Sequence, residues 1–321
     1  MSSSTAVGID IAKLKFDVAL LRDGKCKSKV FSNNDEGFAE FHSWLKAHNA
    51  SSVPACMEAT GSYFEALALF LADHQLTVSV VNPLLISKYA EAIGESNKTD
   101  QQDARTIARY CATQSPKAWL APTPAIRELR DLVRRLEALQ GLDRQEQNRL
   151  GVASSITRPS IDAVLTTLAT QIVEITAAIK THINDHPDLS SKAKVMDSIP
   201  GLGEATIVLI LSELPASVML STRIADAFTG LAPTRHESGS SVNGRSHLSK
   251  RGASCFRKGL YFRAIVACMY NPVVKVFYER MQKNGLTQKQ AFCAAMRKLL
   301  HIIIGVLKSG KPFDPDLHKI T

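Results

Sequence analysis

The chain has 321 residues, 45% of them apolar and 21% charged, with a formal net charge of +9. That length is roughly twice what one domain needs, and the composition is ordinary for a folded protein, which excludes a disordered tail, a collagen-like repeat and a disulfide miniprotein. Cys26, Cys56, Cys111, Cys255, Cys268 and Cys293 are scattered without a C-x-x-C pair, so reduced core thiols are expected. The amino terminus lacks a basic stretch followed by an apolar one, and the longest apolar runs, 207–211 and 302–307, fall far short of a bilayer span. These features lead us to expect a cytoplasmic chain, nucleoid-associated, with no membrane partner.

The charge is unevenly distributed. Residues 1–120 carry 12 Lys/Arg against 13 Asp/Glu, residues 121–227 carry 11 against 13, and residues 228–321 carry 16 against 4. The whole positive excess lies in the last third, which is the footprint of a polyanion-binding surface more than of a merely soluble face.

In chain order, 6–11, 15–21 and 27–31 read as three antiparallel strands with a turn at Asp23-Gly24. Helical spacing over 37–48 (Phe38, Phe41, Leu45), a buried strand at 53–57, a helix at 63–71, a strand at 77–81 and helices at 84–93 and 100–112 follow. A meander succeeded by alternating helices and strands predicts an α/β layer with a mixed sheet. The middle is helical. Segment 125–150 has near-heptad apolar spacing with an expected break at Gly141, and 161–183 forms a second run after Arg158-Pro159. A helical hairpin or coiled-coil arm is expected, with a plain bundle as the alternative.

Ser-Ile-Pro-Gly-Leu-Gly-Glu at 198–204 precedes a helix at 207–214. A Pro-Gly-apolar-Gly turn between helices fits a helix–hairpin–helix, with Gly201 and Gly203 exposing backbone N–H groups to a phosphate. The competing reading is a tight turn between two core helices. Residues 229–252 read as a long Gly/Ser/Arg-rich loop, and long loops that persist are usually functional. Helices at 256–269 and 288–306 close the chain. Arg235, Arg245, Lys250, Arg251, Arg257 and Lys258 are the candidate nucleic-acid contacts. The boundaries expected are 1–120 for an α/β catalytic domain, 121–190 for the helical region and 191–321 for a mainly α carboxy-terminal domain.

Four carboxylates stand out in the first domain. Asp10 lies within the first strand, Glu58 ends a buried strand, and Asp100 and Asp103 lie three apart at a helix start. An acid in mid-strand is costly unless paired or metal-bound. Four such acids can hold two Mg²⁺ ions roughly 4 Å apart, an arrangement suited to phosphoryl transfer. For Asp100 a helix N-cap is a competing role, and for Asp103 an ion pair on an exposed face.

The order Gly-Ile-Asp (Asp10), Glu-Ala-Thr-Gly (Glu58) and Lys-Thr-Asp-x-x-Asp-Ala (Asp100, Asp103) resembles the DEDD insertion-sequence transposases, the bridge-RNA-guided serine recombinases with a RuvC-like ribonuclease-H fold. The resemblance continues through Arg-Pro-Ser-Ile-Asp at 158–162, the turn at 198–204, Gly-Leu-Ala-Pro at 230–233, Glu-Ser-Gly-Ser-Ser-Val at 237–242 and Leu-Lys-Ser-Gly-x-Pro-Phe at 307–313. It implies a RuvC-like catalytic domain, a C-terminal transposase domain, Mg²⁺, double-stranded DNA of element ends and target, a structured guide (bridge) RNA, and assembly as a dimer or tetramer. It also implies that Ser238 is the DNA nucleophile, a choice that physics alone does not make among Ser238, Ser240, Ser241, Ser246 and Ser249. Gly252-Ala253 departs from relatives that carry Asn or His after the glycine. The alternatives are a RuvC-like junction resolvase acting through water, a sugar-kinase-type ATPase, which Ile11-Ala12-Lys13 after Asp10 disfavours, and a non-catalytic DNA-binding scaffold.

Overall fold

The computed structural model describes residues 5–317 except Thr60, Ser62, 96–98, 235–236, 239–241, 244–246 and Lys250; for Glu237, Ser238, Val242 and Asn243 it describes the backbone alone. The chain forms two compact units, residues 1–121 and 122–321.

The first unit is built on a mixed five-stranded sheet. Strands β1 (Ala6–Ile11), β2 (Lys15–Arg22) and β3 (Lys25–Ser32) form the antiparallel meander. Helix α1 (Asp35–Ala47) leads to β4 (Ala55–Glu58), and α2 (Tyr63–Asp73) to β5 (Val78–Val81). The order is β3-β2-β1-β4-β5, with β1, β4 and β5 parallel. Two helices complete the unit, α3 (Pro83–Ala92) and α4 (Asp100–Gln114).

Strand β1 is covered on both faces, which is why it reads as a nearly continuous apolar run. Side chains alternate across a strand, so Val7, Ile9 and Ile11 enter one core with Phe16, Phe31, Phe38 and Phe41, while positions 6, 8 and 10 turn to the opposite face. Ala104 and Ala108 of α4 pack on that second face with Ala19 and Leu21 of β2. The approach is tight. A Cβ on Gly8 would stand 2.1 Å from the Ala104 carbonyl oxygen and 2.2 Å from the Ala108 nitrogen, so only glycine lets α4 lie this close to β1. In β4, Met57 joins the first core while Cys56 faces the other side, and the same alternation puts Glu58 on the side of Cys56.

The second unit opens with two long antiparallel helices, α5 (Pro124–Leu150) and α6 (Arg158–Asp185). At one end, His182 near the finish of α6 hydrogen-bonds to the Ala125 carbonyl of α5; at the other, an Arg158 Nη2 reaches the Leu150 carbonyl. Helix α5 runs unbroken through Gly141, contrary to the expected break. A single glycine in a helix costs about 1 kcal/mol, too little to stop one of this length. The interruption lies at 151–157, and Pro159 sits in the first turn of α6, where its missing N–H is harmless.

Next come α7 (Pro187–Asp197), α8 (Glu204–Glu213), a 3₁₀ turn (Ala216–Leu220) and α9 (Thr222–Thr229). Among the described residues of 229–252, expected as loop, there are four two-residue strands. Strand β6 (Pro233–Thr234) pairs with β9 (His247–Leu248), and β7 (Glu237–Ser238) pairs with β8 (Val242–Asn243). Helices α10 (Ser254–Tyr270), α11 (Pro272–Lys283) and α12 (Gln288–Ser309) finish the unit. Helices α7 and α11 were not expected as separate elements; each begins at a proline that marks the joint with the helix before it. One core joins Leu129, Val133, Ile179 and Ile183 of the long pair to Met196, Ile207, Phe256, Leu299 and Ile303.

The expectation that nothing in the chain approaches a membrane span is corrected in one respect. Arg158–Asp185 and Gln288–Ser309 are long and apolar enough by length and composition, each containing an 18-residue stretch with a mean hydropathy of 1.3 and 1.5, respectively. In Arg158–Asp185 the apolar residues alternate with Thr and other polar residues over many turns, and in Gln288–Ser309 the Arg297-Lys298 pair and His301 interrupt the sequence before the run at 302–307.

Candidate functional site

Three of the four expected acids meet in one cleft. The parallel pairing of β1 and β4 brings Asp10 and Glu58 to the same end of the sheet, and α4 crosses that end so that Asp103 joins them. The cleft, about 300 Å³, is also lined by Ser87, Glu91 and Glu95 on the α3 side and by Thr106 of α4. Thr99 caps α4 by accepting from the Gln102 N–H, so the cap role considered for Asp100 falls to Thr99 instead. Asp100 is exposed and does not line the cleft; its carboxylate accepts from Lys15 Nζ at 2.8 Å.

Burial pushes the Asp10 carboxyl up to about 6, helped by the negative charges of Asp103, Asp100 and Asp17 and opposed by Lys15. A carboxyl so displaced lacks sufficient positive charge in its surroundings. Lys15 holds Asp100 below, and is itself held above, its ordinary range through their shared hydrogen bond. Thr106 Oγ1 is buried at the cleft wall without a hydrogen-bond partner among the described residues. Oxygen donors converging on a site short of positive charge suit a hard divalent cation.

In the second unit, the glycine turn packs on α10. Gly201 has φ +89°, and a Cβ there would meet Ala267 Cα at 2.8 Å. Gly203 caps α8 and faces the Arg263 guanidinium, whose Cζ would lie 2.8 Å from an added Cβ. Gly201 therefore serves close packing of the turn on the α10 backbone, whereas at Gly203 the neighbour is the mobile end of a side chain. Of the expected phosphate contacts, Arg251 and Lys258 are exposed. Arg257 is instead committed to the fold, because its Nη1 donates to the Thr229 and Gly252 carbonyls at 3.0 and 2.9 Å. Those bonds close the base of the segment that carries Ser238. Arg235, Arg245 and Lys250 lie outside the described residues, and for Ser238 only the backbone pairing with Val242 is described.

Two family models match the chain. A DEDD transposase model of the IS110 type covers residues 7–153, and a model described as transposase IS116/IS110/IS902 family covers 193–279. The pilin gene-inverting proteins of Moraxella bovis and Moraxella lacunata are each 33% identical over 321 residues, 99% of this chain and 100% of the relative. The chain belongs to the IS110 family of transposases. An IS110 insertion-element protein of Streptomyces coelicolor is 26% identical over 153 residues, 47% of this chain and 36% of that protein. The transposase is thus a DNA recombination enzyme, and the DEDD match points to the use of a divalent metal. All four acids fall in the first matched block, and the glycine turn and Ser238 in the second.

Asp17 of the transposase's acidic cluster and Arg263 beside its glycine turn escaped the sequence reading. Asp17, only 7% exposed, is the direct cross-strand partner of Asp10, and Lys15 donates to it at 3.2 Å. The signal was present, since antiparallel pairing of the first two strands about a turn at 12–14 places residue 17 opposite residue 10. Arg263 was hidden differently. Its contact with Gly203 depends on how α10 packs against the turn, which no local pattern encodes.

Proposed function

We propose that this transposase cuts, exchanges and rejoins strands of an insertion sequence and its target, with Asp10, Glu58 and Asp103 holding Mg²⁺, Asp100 joining them only by giving up its pairing with Lys15, and Ser238 attacking DNA. The observation that carries the proposal is the convergence of Asp10, Glu58 and Asp103 on one cleft where the Asp10 carboxyl is raised to about 6. The donor set and the unpartnered Thr106 hydroxyl fit such an ion. When bound, the ion stabilises charge on the attacking and leaving oxygens of a phosphodiester. Lys15, poised between Asp17 and Asp100, moderates the negative charge of the cluster.

The names of the Moraxella relatives favour recombination over simple cleavage, since inverting a gene requires cut ends to be rejoined. Rejoining without an external energy source is served by a covalent protein–DNA ester. The Ser238 oxygen bonds to phosphorus, the bond to one DNA oxygen breaks, and that oxygen leaves as a hydroxyl carrying the serine proton. A hydroxyl of the partner strand then attacks the same phosphorus and releases the serine. The short paired strands around Ser238, closed at their base by Arg257, support a role as a presented segment.

Phosphates are bound, on this reading, by Arg235, Arg245, Lys250, Arg251 and Lys258, with the 198–203 turn acting as a helix–hairpin–helix beside Arg263. A structured guide RNA selects the sites through helical shape and phosphates, since aromatics at 6% provide little stacking surface. Residues 1–120 form the RuvC-like catalytic domain, 121–190 a coiled-coil arm and 191–321 the transposase domain. Val152, Ile156 and Val173, at 88%, 89% and 68% exposure along that arm, support pairing between copies in a dimer or tetramer. The proposed place of action is the cytoplasm, on DNA and away from membranes.

The test is to trap the reaction on a nicked substrate, digest the protein, and identify the DNA-linked peptide by mass spectrometry. A peptide joined through Ser238, absent in Ser238→Ala, is expected. Free ends without an adduct, made equally well by Ser238→Ala, would favour a hydrolytic junction resolvase, for which the acidic cleft alone suffices.

A further inference from the structure

Far in sequence from the acidic cleft, three metal-ligating side chains meet where the long helical pair joins the core of the second unit. Glu128 lies in the first turns of α5, His182 in the last turn of α6, and His186 at the joint between α6 and α7. Each offers a ligand atom within 4.8 Å of the others. The two imidazole rings lie 4.2 Å apart, centre to centre.

Backbone carbonyls fix the tautomer of both rings. His182 Nε2 lies 2.8 Å from the Ala125 carbonyl oxygen, and a carbonyl can only accept, so Nε2 carries the proton and Nδ1 keeps its lone pair. His186 Nδ1 lies 2.7 Å from the His182 carbonyl oxygen, which likewise leaves Nε2 with its lone pair. This is how metal-binding histidines are oriented: one nitrogen anchored by an acceptor, the other free to ligate.

The Glu128 carboxylate is 3.7 Å from His182 Nδ1, too long for a hydrogen bond. Ligand atoms about 2.1 Å from a tetrahedral ion sit roughly 3.4 Å from one another, so the observed gap is close to what an intervening ion requires. His182 is nearly buried while Glu128 reaches solvent, which gives the ion an entry path and a water for its fourth position.

We propose that Glu128, His182 and His186 form a second divalent-cation site, selective for zinc-class ions over Mg²⁺, that pins the base of the α5–α6 pair to α7. Two nitrogens and one carboxylate suit zinc or cobalt, whereas Mg²⁺ demands six oxygens. The role is structural. The site ties together the three elements that anchor the helical pair, and it does not depend on the reading of the acidic cleft.

The test titrates Co²⁺ into the metal-stripped full chain with millimolar Mg²⁺ present to occupy the acidic cleft. Visible absorption and the side-chain nitrogen resonances of His182 and His186 are followed. One equivalent of cobalt should give four-coordinate bands and move both histidines, and Zn²⁺ should displace it. His186→Gln and Glu128→Gln, at positions that tolerate polar residues, should keep native circular dichroism yet bind roughly tenfold more weakly or worse. Unchanged affinity in both variants overturns the proposal. So does binding that survives in them and disappears in Asp103→Asn, because the ion would then belong to the acidic cleft.

Discussion

Asp10 and Asp17 stand directly opposite each other across the β1–β2 pair, on the face covered by α4. Like charges at directly opposed positions destabilise a sheet, and these two also share the neighbourhood of Asp100 and Asp103. Lys15 Nζ answers part of that charge, 3.2 Å from Asp17 and 2.8 Å from Asp100. The first unit therefore holds its acids together at a cost in stability, which a bound cation would offset.

The cost should be readable as a pH dependence in EDTA. Folded Asp10 keeps its proton up to about pH 6, whereas unfolded it releases it near 3.8. Between those values the native state binds more protons, so the Asp10 contribution to stability falls as pH rises through the window and stays at its lowest above it. Asp10→Asn should remove this decline and be more stable than wild type at pH 7.5 by about 1 kcal/mol, allowing for solvent screening at the open side of the cleft. At pH 4 the two should be nearly equal. Urea unfolding of both proteins at the two pH values checks this, and a difference independent of pH would contradict it.

Lys15→Gln should act on ion binding. Removing the ammonium group leaves Asp17 and Asp100 unanswered and raises the negative potential at Asp10. Mn²⁺ should then bind several-fold more tightly by calorimetric titration, with the metal-free protein less stable than wild type. Weaker Mn²⁺ binding would show that Lys15 orders the carboxylates more than it competes with the cation.

Much of the first unit was legible because its signals are local. The apolar run of β1, the Asp23-Gly24 turn and the proline after β5 each fix an element within a residue or two. Asp10, Glu58 and Asp103 could be chosen as a set because acids in or beside apolar strands and at a helix start are conspicuous. What was not legible depends on packing between distant segments. Asp100 and Asp103 are neighbours on one helix, yet only Asp103 lines the cleft, because Lys15 draws Asp100 to the β2 side. From its charge alone, Arg257 reads as a phosphate contact. Its bonds to Thr229 and Gly252 arise only when α10 meets the end of α9.

Gly8→Ala tests how the cleft is assembled. The added methyl would overlap the Ala104 carbonyl and the Ala108 nitrogen, both backbone atoms that cannot rotate away. Helix α4 must then lift from β1, carrying Asp103 away from Asp10. A loss of about 3 kcal/mol is expected, at the upper end for overpacking in a core. Mn²⁺ affinity should fall even under conditions where the variant remains folded. A variant of wild-type stability and affinity would mean that α4 is free to shift without disturbing the acids.

The basic third should separate into charges that bind nucleic acid and a charge that holds the fold. Arg251 and Lys258 are exposed. Every phosphate that a charge reversal leaves without its cation should lower the slope of log affinity against log salt by about 0.9 for duplex DNA, because one fewer counterion is released on binding. Arg251→Glu with Lys258→Glu should therefore flatten the salt dependence while leaving thermal stability within about 0.5 kcal/mol of wild type, as surface substitutions usually do. Arg257→Glu should behave oppositely. Its half-buried guanidinium closes the base of the Ser238 segment on two carbonyls, and a carboxylate there would face those oxygens with no donor to offer. Loss of hydrogen bonds to a charged group costs about 1.5–3 kcal/mol, so the melting temperature should drop markedly. Arg257→Lys should recover little of this, since one ammonium group cannot reproduce the planar reach of a guanidinium. If Arg257→Glu instead changes only the salt slope and leaves the melting temperature unchanged, Arg257 belongs with the phosphate-binding cations after all.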